Sequence, residues 1–146
     1  MVMRTMAALG LLGGALGCVD FETSVDPTGG APDDLVPTPS FSANVVPIFD
    51  KRCATGGCHS LATHQAGLTL DPSAAYDAIV GVPSTLRPGE VRVRPTEPNR
   101  SWLVTMISAD DAARQGHSRM PLATQPLTSN QIETIVRWIE QGAQRN

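Results

Sequence analysis

Apolar positions along the chain fall into four helical groups, separated by polar stretches rich in proline and glycine. The last group is the clearest. Ile132, Ile135, Val136 and Ile139 recur at three-and-four spacing with Trp138 beside them, the period of one helix face. Thr128 and Gln131 fit a capping box at its start. Glu133 and Arg137 form an outer pair one turn apart, and Gly142 marks the stop. The first group, Phe41 to Cys53, puts Phe41, Val45, Ile48, Phe49 and Arg52 on one face. Ser42 or Asn44 is the candidate cap, and Pro47 delays the regular helix to about Val46. Gly67 to Gly81 reads as extended and then helical, with Asp71 or Ser73 as cap and Gly81 as stop. Asn99 to Ser108 reads as a short helix capped by Asn99, with Leu103, Met106 and Ile107 as its stripe. A short strand is expected at Val91 to Arg94.

This pattern predicts an all-α domain of about four short helices joined by long loops. Loops that long in a small domain are functional or are held by something outside the ordinary core. A disulfide, a metal or a cofactor is the common solution. Composition points the same way, because aromatics are few and the core must come mainly from aliphatic side chains. The net charge of −3 excludes non-specific nucleic-acid binding. The arginines near Arg87, Arg92, Arg94 and Arg100 read as a solvated surface.

The N-terminal segment, residues 1–18, reads as an export signal. Arg4 precedes the apolar run Ala7 to Cys18, which is too short and glycine-rich to span a bilayer. Gly17-Cys18 at its end resembles a lipobox, although Ala15 and Leu16 stand where that pattern prefers Leu and a small residue. Cys18 is thus the expected lipidation site, and membrane attachment through it the expected anchor. Residues 19–40 read as a flexible tether rich in Pro, Gly and Asp, and the folded domain is expected over 41–146.

With Cys18 assigned to lipid, Cys53 and Cys58 remain as a local pair in CATGGCH, Cys53 to His59. Three chemistries suit it. In the first, the segment is a stretched form of the C-x-x-C-H haem-attachment signature. Two thiols bond the two vinyl groups, and His59 follows Cys58 directly, as an iron ligand must. Gly56 and Gly57 allow the extra residues to bulge. Met120, followed at once by Pro121 in a polar loop, is then the candidate distal iron ligand, with His117 in reserve. The second chemistry is structural zinc on Cys53, Cys58, His59 and His64. The third is a haem-free domain with a Cys53–Cys58 disulfide, which an exported protein permits.

The order of these features resembles the single-haem cytochrome c-like domains of exported bacterial proteins, related to class I cytochromes c. VVPIFDKRC leads into the cysteines and His59. AGLTLD follows, then Pro98 to Leu103 as P-x-x-S-x-L, then Met120-Pro121, then Leu127 to Ala143 as a closing helix. The resemblance spans roughly 41–143. It implies one covalent haem c on Cys53 and Cys58, with His59 as proximal and Met120 as distal ligand. It also implies first and last helices packed together, through Phe49, Ile135 and Trp138, and haem packed by Leu68, Leu70 and Leu103. Single-electron transfer with redox partner proteins in the periplasm or cell envelope is the implied function. No nucleophile–base pair or second ligand cluster suggests an enzyme.

Overall fold

The computed structural model describes residues 32–146. The expected signal segment, Cys18 and the first part of the expected tether lie outside the described residues. Among the described residues helix is the main regular structure and no sheet forms. The described residues form five α-helices: α1 (Val46–Arg52), α2 (Ala75–Ile79), α3 (Trp102–Ile107), α4 (Asp111–Arg114) and α5 (Ser129–Glu140). A π-helical turn, Phe41–Val45, leads into α1. Short 3₁₀ turns lie at Gln65–Gly67 and Pro98–Arg100. Among the described residues no helix is long and apolar enough to cross a membrane.

The first group forms as its period predicts. Phe41, Val45, Ile48, Phe49 and Arg52 are all buried. The cap is Ser40, whose hydroxyl accepts from the Ala43 N–H at 3.1 Å. The Asn44 side chain instead accepts from the Ser40 N–H. The regular helix starts at Val46, where the Val46 N–H reaches back to the Phe41 carbonyl. Asn146 satisfies two further orphan donors of this first turn: its side-chain carbonyl accepts from the Phe41 N–H, and its backbone carbonyl from the Ser42 N–H.

The capping box on α5 is present in full, with the Thr128 hydroxyl and the Gln131 side chain each accepting the other's backbone N–H. The Glu133–Arg137 pair closes at 2.9 Å. The buried stripe is rotated from the expected one: it is Gln131, Thr134, Ile135, Trp138 and Ile139, with Ile132 and Val136 half-buried. Polar Gln131 comes inside because hydrogen-bond partners are available to its side chain there, and Thr134 is buried on the same face. Gln131 closes the capping box and donates to the Pro32 carbonyl at 3.3 Å. α5 packs on the Phe41–Val45 turn and on α3. The Phe41 ring lies 4.9 Å from the Trp138 ring and edge-on to Phe49. The contact between the first and last helical segments of the described residues is therefore made mainly by the irregular turn ahead of α1.

Several expectations are corrected. The stretch 32–40, expected within the tether, lies along α5. Asn130 donates to the Asp33 carbonyl, the Thr128 hydroxyl to the Asp33 carboxylate, and Gln141 to the Pro37 carbonyl, while Pro39 is buried. Proline withholds a donor but keeps its carbonyl, and the side-chain amides of Gln131 on α5 and of Gln141 just past its end donate to Pro32 and Pro37. No strand runs through Val91–Arg94; isolated bridges pair Val93 with Val80, and Val91 with Pro83 and with Ser101. Pro88-Gly89 and Pro95 bound this run and leave it too short to extend. α3 starts at Trp102, after the Pro98–Arg100 turn, so Asn99 caps nothing. Asp71 accepts from Ser73, the cap position of α2 falls on Ala74, and Gly81 follows the helix at φ +72°. α4, capped by Asp110, lies in a segment expected to be irregular.

Candidate haem site

Cys53 sits at the C-terminal end of α1, its N–H bonded to the Phe49 carbonyl at 2.8 Å. The next residues leave the helix and turn back. Cys58 N–H donates to the Thr55 carbonyl at 3.0 Å, and His59 N–H donates to the Cys53 carbonyl at 3.1 Å. The second bond closes the loop across its base. Thr55, Gly56 and Gly57 are exposed, with Gly57 at φ +85°. A side chain at Gly57 would meet no steric obstacle, so the backbone conformation, not crowding, calls for glycine there. The two extra residues of C-x4-C-H are therefore taken up outward, and the backbone of Cys53 and His59 stays together. The two thiols are free. Burial pushes the Cys53 thiol up to about 12, against the lowering pull of the Arg52 charge.

His59 is held by both backbone and ring. Its carbonyl accepts from the Leu70 N–H at 2.7 Å. Its ring Nδ1 faces two backbone carbonyls, Gln65 at 3.1 Å and Leu68 at 3.3 Å. Carbonyls only accept, so the proton belongs on Nδ1 and the lone pair on Nε2. A metal-ligating imidazole is oriented in this way, with one nitrogen fixed by an outer acceptor and the other presented.

Met120 reaches the site from the other half of the chain. Its N–H donates to the Met106 carbonyl of α3 at 2.8 Å, and its half-buried side chain packs on the core. Cys53, Cys58, His59 and Met120 all line one cavity of about 460 Å³, within the ~300–1,000 Å³ range of cofactor pockets. Leu68, Leu70 and Leu103, expected as packing residues, line it as well. So does Met106, expected only as core filling. Exposed Leu86 and Leu122 belong to the lining and show that the cavity opens to solvent. A closed, dry cavity of this size would cost on the order of 10 kcal/mol at ~24 cal/mol per Å³. That rivals the ~5–15 kcal/mol stability of a whole domain. Opening the cavity lowers the cost but leaves an apolar surface to be covered.

The charged side chains among the lining residues are Arg52 and Arg92; no carboxylate is among them. Arg52 donates to the Gln125 carbonyl at 2.7 Å. Arg92 donates to the Ala78 and Gly67 carbonyls at 2.8 and 3.0 Å, and burial lowers its pKa. Arg92 is thus buried, and Arg87 lies over the Trp102 ring at 5.5 Å. Of the expected solvated cluster Arg100 alone is exposed; Arg94 is half-buried, and both face Glu97. Trp102, also in the lining, has a buried Nε1–H with no hydrogen-bond partner. Sequence reasoning missed Arg52, Arg92 and Trp102 as cavity residues; a buried arginine and a surface one look alike in sequence.

His64 is exposed and left-handed at φ 44°. His117 meets the Trp102 ring edge-on at 5.7 Å and is not among the lining residues. Among the described residues no group of three or more His, Cys, Asp or Glu side chains is arranged to hold a metal ion. The donor set at the cavity is instead two thiols, one oriented imidazole and two thioethers on an apolar wall. That set fits haem c: thiols for the vinyl groups, nitrogen and sulfur for the iron, aliphatic walls for the macrocycle, and cations for its acid groups. No protein family, curated protein or solved structure matches this chain.

Proposed function

We propose that this chain is an exported, lipid-anchored electron carrier with a cytochrome c-like fold and one covalent haem c. Bound haem c supplies a one-electron iron couple. The chain's own residues would do the rest. Cys53 and Cys58 would hold the group through thioethers, and His59, through Nε2, and Met120 would be the residues that ligate its iron. Leu68, Leu70 and Leu103 cover the ring and keep water from it, which with the axial ligands sets the potential. The role is transfer between redox partner proteins, not catalysis. Cys18 carries the lipid in this reading and holds the domain at a membrane of the cell envelope.

The observation that carries the reading is the convergence of Cys53, Cys58, His59 and Met120 on one apolar cavity, together with the His59 ring oriented through Nδ1. The test is expression of the mature chain in a periplasm with haem-maturation machinery, followed by reduced-minus-oxidised spectra. Covalently bound haem with a Met–iron charge-transfer band is expected, and Met120→Ala removes that band. A colourless protein with a Cys53–Cys58 disulfide would sink the proposal in favour of a haem-free binding or structural lipoprotein.

A further inference from the structure

A helix leaves its last four carbonyls without intrahelical donors. At the end of α3 each of them is taken. The Val104 carbonyl accepts from the Ser108 N–H at 3.0 Å, and the Thr105 carbonyl from the Ser108 hydroxyl at 3.0 Å. The Met106 carbonyl accepts from the Met120 N–H at 2.8 Å, and the Ile107 carbonyl from Arg119 Nε at 3.0 Å. The Ser108 carbonyl, one residue further, accepts from Arg114 Nη1 at 2.5 Å. Three successive carbonyls are therefore capped by one later segment, 114–120, and two of the three donors are arginine side chains.

Arg114 is built into this cap. It is 3% exposed. It also donates through Nε to the His117 carbonyl at 3.3 Å and pairs with the Asp111 carboxylate. It thus ties the end of α3 to the start of the chain that leads to Met120. Arg119, directly before Met120, supplies the next bond. Cationic donors suit the negative end of a helix and make the stronger class of hydrogen bond.

We propose that Arg119 and Arg114 are positioning residues: by capping α3 they hold Met120 at the cavity. The proposal rests on the haem reading for its spectroscopic readout only. Without Arg119 the Ile107 carbonyl loses its donor, and the adjacent Met120–Met106 bond loses the anchor beside it. Met120 then samples positions away from the cavity while the packing of the Phe41–Val45 turn on α1 and α5 is unaffected.

The test compares Arg119→Gln and Arg119→Lys with Arg137→Gln in the full chain. Arg137 pairs with Glu133 on α5 and does not line the cavity, so its loss reports general destabilisation. Two quantities are read: hydrogen exchange of the Met120 amide, and the Met–iron charge-transfer band at matched haem content. For Arg119→Gln, exchange at Met120 should quicken roughly tenfold, the scale of one lost charge-assisted hydrogen bond, and the band should weaken. Arg119→Lys keeps a donor and should restore part of both, while Arg137→Gln should change neither. Unchanged exchange in Arg119→Gln, or equal acceleration in Arg137→Gln, overturns the proposal. A colourless wild type would refute the haem reading alone, and the amide result would still decide this one.

Discussion

Raising the pH on the haem-free chain tests whether Cys53 belongs to the apolar wall. Burial moves its thiol from 9.0 to about 12. The charged form here is the deprotonated one. Between those two values the unfolded chain gives up this proton and the folded chain keeps it. Stability from this group is therefore complete below about pH 9 and is lost as pH rises toward 12. The full shift amounts to about 1.4 kcal/mol at pH 10, one pH unit above the unfolded value. Cys53 is half-buried, so solvent screens part of it, and about 1 kcal/mol is the working figure. With a urea m-value of about 1–3 kcal/mol per M, the midpoint should fall by roughly 0.3–1 M between pH 8 and pH 10 through this group. The assay is urea unfolding at both pH values for the wild type and for Cys53→Ala. Cys53→Ala loses some packing at both, but its midpoint should fall less on going to pH 10. Cys53→Ala leaves every other side chain in place, so the difference between the slopes isolates Cys53. Identical slopes would refute the argument that this sulfur is desolvated. If haem c is attached as proposed, the thiol would be a thioether, and the extra slope should vanish as well.

The remaining predictions concern the closing helix and the anchor. Thr128→Ala removes the N-cap acceptor for Gln131 and the hydroxyl bonded to Asp33; it should destabilise the domain by about 1–3 kcal/mol in denaturant titration, combining a lost cap with a second lost bond. A loss below about 0.5 kcal/mol would mean that neither bond contributes. Cys18→Ser should release the protein from the membrane fraction into the soluble periplasmic extract, and retention on the membrane would remove Cys18 as the anchor.

Local chemistry made much of this protein legible from its sequence. The capping box at Thr128 and Gln131, the Glu133–Arg137 pair and the buried face from Phe41 to Arg52 all depend on residues within one or two turns of each other. Each formed as its spacing implied. The candidate site residues were legible for the same reason: CATGGCH is a local motif, and Met120-Pro121 stands out against a polar loop. Where sequence reasoning failed, the deciding partner lay far along the chain. The carbonyls of Pro32 and Pro37 find the amides of Gln131 on α5 and Gln141 at its C-terminal cap, which draws 32–40 out of the tether and turns the α5 stripe to take in Gln131. Arg92 is buried because the Ala78 and Gly67 carbonyls accept from it, and composition alone offered no sign of that. The spacing of CATGGCH left open whether two extra residues would separate Cys53 from His59. Only the fold decided this, by bonding the His59 N–H to the Cys53 carbonyl and turning Gly57 to positive φ. Likewise the sequence by itself determined which residues carry thiol, imidazole and thioether. The tertiary structure brought them to one cavity, because hydrogen bonds at the end of α3 and packing on the core act between segments that no local pattern connects.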